Sequence, residues 1–277
     1  RYAVERCIEE MYKNEPYGLY KYGYVEDLEG IDAKTLYEHY QKVKNESKID
    51  IFISGNIKES DFEFVEKNEN ITILPERNSQ YDIKEIEKKE NKQEKEIKEE
   101  MEVTQGKIVI GMDLHLKNEE QKYDTLVYNA ILGGSANSKM FQEVREKASL
   151  AYTAGSSYIR YKSNIFIKCG IEIKNYDKAI EIIRKQLQDM KDGKFSETDI
   201  ENAKKGIISS IKSIDDEQDT EITYFFGQEL TNNRITLEEY IEKIENVTKE
   251  KIIEIAKLIT INTIYFLKNN DTAEEVQ

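Results

Sequence analysis

The chain predicts an α+β fold in which helices pack on one face of a mostly antiparallel sheet. Three observations lead there. Apolar residues alternate with polar ones over 108–116 and 165–173, helical periodicity dominates after residue 176, and a weak internal repeat links the two ends of the chain. Strands clustered early with helices running late are the pattern of a sheet layered on one face by helices.

The repeat sets the organisation. Residues 28–56 and 244–269 each read as a capped helix followed by a short apolar strand ending near an asparagine. Asp32 and Thr248 occupy the N-cap positions, Ile31 matches Val247, and Leu36 matches Ile252. Residues 1–70 are therefore expected to be the C-terminal part of a first α+β half, and 106–277 a second, complete one. Between them lies a charged linker, 71–105. Its central stretch, 84–102, is nearly all Lys and Glu and lacks the apolar residues that offset the ordering entropy of a packed core. Glu/Lys pairs at i,i+4 allow it partial helicity.

Within the second half, Ile108, Ile110, Met112, Leu114 and Leu116 mark a strand with one buried face. Residues 123–132 follow as a helix, with Gly133 and Gly134 as its C-cap and turn. A further strand runs over 165–173, and Ala179, Ile180, Ile183, Leu187 and Met190 give an amphipathic helix. Ser196-Glu197-Thr198-Asp199 has the form of a capping box ahead of a long helix. More helix is expected over 217–230, 237–244 and 248–258, and a final strand over 263–267.

The most informative segment is 138–152. Met140, Val144 and Ala148 share one helical face, with Arg145 beside it near Phe141. Ser149-Leu150-Ala151 then leads into an extended run in which Tyr152, Ala154, Ser156 and Tyr158 are expected to share a side. A guanidinium and a phenol thereby approach one spot from two elements, and both are good donors to a peptide carbonyl or a developing oxyanion. The plainer alternatives are a surface ion pair of Arg145 with Glu143 or Glu146, and a core role for Tyr152. Tyr158, Arg160 and Tyr161 either extend a peptide groove or form a solvated sheet face.

Composition narrows the partners. A hydrophobic content of 38% suffices for one or two globular cores, and no apolar stretch approaches the roughly 18 residues that span a bilayer. A net charge of -14 disfavours nucleic acid and anionic membrane as partners. No charged-then-apolar leader follows Arg1. Cys7 and Cys169 fit no disulfide or metal framework; Cys169 alternates with Ile165, Ile167 and Ile171 as a buried free thiol would, and reduced cysteines favour a cytoplasmic location.

The run Gly133-Gly134, then 141–147 (FQEVREK), then Leu150-Ala151-Tyr152 resembles the second half of the pitrilysin/insulinase family of zinc metallopeptidases, as found in a small bacterial member. The resemblance implies a fold of two such halves per subunit, and it implies substrate-binding roles for Arg145 and Tyr152. It also implies a zinc ion, which the family holds through H-x-x-E-H, two histidines one helical turn apart with a glutamate base. This chain has only His39 and His115, in different halves and neither in that pattern. His39 reads as a solvent-edge residue among tyrosines, and His115 with Asp113 as a surface pair rather than half a metal site. No metal ligand and no cofactor are therefore assigned to this chain, which alone should be inactive.

Zinc is expected either in a missing first half or in a partner chain, giving a homo- or heterodimer with a zinc-bearing family member and a peptide as substrate. The reading that follows is the substrate-binding, non-zinc portion of a metallopeptidase. Its alternative is a non-proteolytic structural or peptide-binding subunit.

Overall fold

The computed structural model describes residues 1–75, 93–231 and 233–270. They form two compact units, one of residues 1–21, 93–211 and 237–270 and another of residues 22–75, 212–231 and 233–236.

The first unit is built on one five-stranded sheet. In chain order its strands are β1 (Lys95–Glu100), β2 (Gly106–Leu114), β3 (Ala151–Ile159), β4 (Asn164–Ile171) and β5 (Ile259–Lys268). They are arranged β1-β5-β2-β4-β3, with only β1 running parallel to its neighbour. Against the sheet lies a helical layer in which α5 (Gln121–Asn129) and α6 (Tyr176–Lys191) both pack on α10 (Lys249–Leu258). Two further helices, α7 (Glu197–Lys212) and α9 (Leu237–Glu245), complete the run. The α+β class expected from the sequence is the observed one.

β2 was expected to bury one face, yet all but one of its residues are buried. The second cover is α1 (Tyr2–Met11), whose Ala3, Cys7 and Met11 recur every four residues and form one apolar stripe. They meet Val109, Phe166, Tyr265 and Leu267 across the sheet. Each fully buried aliphatic or aromatic side chain of this kind contributes about 1.5–3 kcal/mol, so α1 is an integral layer of this unit. The expected division, with residues 1–70 as one part, thus differs from the packing of this helix.

The linker reading also changes. Residues 76–92 of it lie outside the described residues, but Lys95–Glu100 is a strand, pairing in register with β5 through Ile97 and Tyr265. Its side chains are mostly charged, so the backbone ladder, Ile97 against the core and two carboxylates hold it, with Glu96 accepting from the Tyr176 hydroxyl at 3.0 Å. Glu99 accepts hydrogen bonds from the Tyr2 hydroxyl at 2.5 Å, from Arg6 at 3.3 Å and from the Tyr265 hydroxyl.

The expected caps are present. Asp32 accepts from the Thr35 amide at 2.7 Å at the start of α2 (Ala33–Glu46), and Thr248 caps α10. Ser196 and Asp199 exchange reciprocal hydrogen bonds of 2.8 and 3.1 Å. The strand expected to close the first repeat, near 49–56, does not form. Phe52 packs edge-on against Phe226 at 5.6 Å and Ser54 bonds to Glu221, so the segment lies along α8 (Gln218–Thr231) instead of along another strand. A β-strand needs a neighbouring ladder for its backbone groups, and a helix supplies none.

The second unit consists of α2, α3 (Glu59–Glu66), α4 (Glu69–Thr72) and α8. None of its described residues is buried. Ile31, Leu36, Tyr37, Tyr40, Ile51 and Phe64 are among the large apolar side chains it leaves exposed.

Candidate functional site

The site is built where α5 ends. Helix geometry continues from Asn129 into a π-helical turn, Ala130–Gly134, and a second π-helical turn, Phe141–Lys147, follows before β3. Wide turns of this kind are rare and concentrate at functional positions. The first places Gly133 against β3. A Cβ on Gly133 would stand 2.4 Å from the Ser156 amide nitrogen, a distance only glycine permits. Asn129 fastens the same crossing by accepting from the Ser156 hydroxyl at 2.8 Å. Gly133 is therefore a backbone contact point within a π turn, where the sequence had suggested a C-cap.

The second turn carries Arg145 and is closed by two backbone bonds, from the Ala148 amide to the Glu143 carbonyl at 3.2 Å and from the Leu150 amide to the Val144 carbonyl at 3.1 Å. Ser149 enters the left-handed region, with φ of 52°, to make that closure. Val144 and Leu150 are buried and anchor both ends of the loop. Arg145 thus sits one residue past the start of a closed turn, and Tyr152 lies two residues past its end.

Both side chains reach solvent. The Arg145 guanidinium stacks over the Phe141 ring, 4.6 Å from its centroid, and its Nε lies 3.8 Å from Glu146. Glu143, the other carboxylate considered for it, pairs instead with Lys147 at 2.7 Å. An exposed ion pair at 3.8 Å is worth about 0–1 kcal/mol, so the outer guanidinium nitrogens stay available. Tyr152 is 57% exposed, which removes a core role. The ladder between β3 and β4 slips between Ala151 and Thr153, leaving Tyr152 at a bulge on the edge strand of the sheet. Bulges re-aim side chains beside sites. Tyr152 and Thr153 are both exposed, and the rest of β3 is half-buried without alternation.

Arg160 is not open to a groove. It stacks on Tyr123 and Tyr240, 5.9 and 5.3 Å from the two rings, and donates to the Tyr240 hydroxyl at 3.1 Å, tying β3 to α5 and α9. Asp113, read as a surface partner of His115, is buried. Its carboxylate accepts from Asn164 at 3.0 Å and Asn262 at 2.6 Å, and Tyr12 donates to Asn164 in turn. No spacing in the sequence marks this network, because its members come from the residue that ends α1 and from three different strands.

The two histidines fall in separate compact units. Among the described residues no group of three or more His, Cys, Asp or Glu is placed to hold a metal ion, so these residues do not fit a catalytic zinc with its three protein ligands. What the arrangement offers is two exposed hydrogen-bond donors flanking a turn closed by backbone hydrogen bonds.

A protein-family model described as the peptidase M16 inactive domain matches residues 30–207, more than half of the chain. The chain belongs to the M16 family, the pitrilysin/insulinase metallopeptidases. This M16 chain is 36% identical to a Bacillus subtilis protein described as probable inactive metalloprotease YmfF, over 99% of its own length and 64% of the relative's. It is 24% identical to the B. subtilis uncharacterized zinc protease YmxG, covering 92% of itself and 63% of YmxG. Among solved structures, a conserved protein from Enterococcus faecalis V583 superposes with a TM-score of 0.83 at 25% identity, covering 97% of this chain and 63% of that one. The peptidase M16 inactive domain from Pseudomonas fluorescens superposes at 0.76 with 15% identity, over 97% and 65% of the two chains, and shares the fold. The M16 chain thus spans less than two thirds of the length of these relatives. No helix among its described residues is long and apolar enough to cross a membrane.

Proposed function

We propose that this chain is the substrate-binding, non-zinc portion of an M16 metallopeptidase, in which Arg145 and Tyr152 donate hydrogen bonds to the backbone of an extended peptide. The observation that carries the reading is the paired exposure of these two donors around a turn closed by backbone bonds, one of them set at a bulge on an edge strand. Donors held in advance lose little freedom on binding, which is where their contribution arises. An edge strand adds main-chain pairing with loose sequence preference.

Zinc, in this reading, is held by another half or by a partner chain in a homo- or heterodimer. The chain is divided into the end of a preceding half over 1–70, a linker over 71–105 and a second half over 106–277, except that α1 packs on the sheet of the second half and β1 joins it. The exposed apolar side chains of 22–75 fit a segment that a preceding half would cover. Two buried free thiols fit a reducing compartment, and we place the protein in the cytoplasm. The test is turnover and binding of a fluorogenic peptide by the full-length protein, with and without a zinc-bearing family member. Arg145→Ala and Tyr152→Phe should each lower turnover by roughly 100-fold or more, the usual consequence of losing a preorganised donor. Unchanged turnover in both variants would remove the pair from the mechanism.

A second reading is favoured by the description of the YmfF relative as inactive: a non-proteolytic structural or peptide-binding subunit. In that case peptide is bound and not cut under any pairing, or not bound at all.

A further inference from the structure

Away from Arg145 and Tyr152, a cavity of about 410 Å³ opens between α6, α10 and the first residues of β5. That volume lies in the range of small-molecule sites. Leu187, Ala256, Ile259 and Ile261 give it an apolar wall, interrupted by Gln188 and Thr260. Tyr128 of α5 also lines it and is 1% exposed.

The rim is cationic. Arg184 pairs with Glu94, which commits the one carboxylate that lines the cavity among the described residues and leaves the other guanidinium nitrogens. Lys191 has no ion-pair partner among the described residues. It stands in the last turn of α6, where its charge also offsets the helix dipole, but that role does not fill the cavity. Donors above an apolar pocket select a ligand that is anionic at one end and apolar along its body.

We infer that this cavity binds a small carboxylic acid with an apolar body, its carboxylate received by Lys191, Arg184 and the Tyr128 hydroxyl. Two sources share that chemistry, the C-terminus of a short apolar peptide and a free aliphatic acid. A chain of net charge -14 repels anions in bulk, so saturable carboxylate binding reports a local site.

The test is calorimetric titration of the full chain with N-acetyl-Leu-Leu, with its C-terminal amide, and with hexanoate. At least one acid should bind saturably, with the amide at least tenfold weaker. Binding to the peptide acid alone assigns a peptide terminus, and binding to hexanoate alone a free acid. Lys191→Gln should weaken the bound acid at least fivefold and Tyr128→Phe two- to fivefold, with circular dichroism unchanged. Arg184→Gln serves as the second variant should Tyr128→Phe fail to fold. Binding of neither acid, equal binding of the amide, or unaltered affinity in Lys191→Gln overturns the proposal.

Discussion

The Arg145 guanidinium lies 4.6 Å above the centre of the Phe141 ring, four residues earlier on the same π-helical turn. An exposed stack of this kind is worth about 0.5–1 kcal/mol and fixes a side chain that otherwise samples many rotamers. Phe141→Leu keeps the apolar volume and removes the ring face. It should weaken peptide binding about two- to fivefold while leaving the melting temperature within about 3 °C, by fluorescence anisotropy and calorimetry. Unaltered binding in a variant that remains folded would mean Arg145 needs no support from the ring.

Gly133→Ala places a methyl 2.4 Å from the Ser156 amide nitrogen and 2.8 Å from the Gly155 carbonyl carbon, and neither backbone atom can step aside. Overpacking of this kind costs about 1–3 kcal/mol. Urea denaturation should therefore show a lower midpoint with an unchanged slope. A midpoint equal to that of the parent would show that the crossing of the π turn and β3 is looser than drawn.

Glu99 should govern part of the acid stability. Burial is the largest influence on its carboxyl and pushes it up, but hydrogen bonds from Tyr2, Tyr265 and Arg6 together outweigh burial and hold it below the ordinary glutamate range. A lowered carboxyl stabilises the fold above its unfolded value of about 4.3, and that contribution disappears as pH falls through the folded value. Glu99→Gln should cost about 1–2 kcal/mol at pH 7, and the gap to the parent should narrow as pH falls below the unfolded value and vanish below the lowered folded one. Denaturation curves at several pH values measure both; a gap independent of pH would assign the loss to packing.

Cys7 and Cys169 are buried, and burial pushes both thiols up to about 12. Only thiolates react readily with disulfide reagents. At pH 8 the folded protein should release essentially no thionitrobenzoate, and two equivalents should appear in denaturant. Rapid labelling of the native protein at either cysteine would contradict the packing of α1 on β2 or of β4 in the sheet.

What the sequence disclosed was local. Asp32, Ser196 and Thr248 cap helices through atoms three residues away, so spacing alone located them. Cys169 sits in a strand whose alternation is visible without knowing its neighbours. Lys95–Glu100 has no such signature: its six residues form a strand because β5 offers a ladder and Glu99 meets two phenols. Ile49, Ile51 and Ile53 mislead for the reverse reason, since a strand-like pattern lies beside α8. At the candidate site, Arg145 and Tyr152 were legible as residues. The bulge that turns Tyr152 outward was not, because a slipped ladder is a property of two strands and only one was being read.

The placement of α1 bears on how this protein can be dissected. A recombinant piece beginning at residue 106, where composition invites a cut, would present Val109, Phe166 and Tyr265 to water as a bare apolar plate and would be prone to self-association. The excisable module is discontinuous: its opening helix must travel with a sheet that starts more than eighty residues later, covalently or by re-addition as a separate peptide.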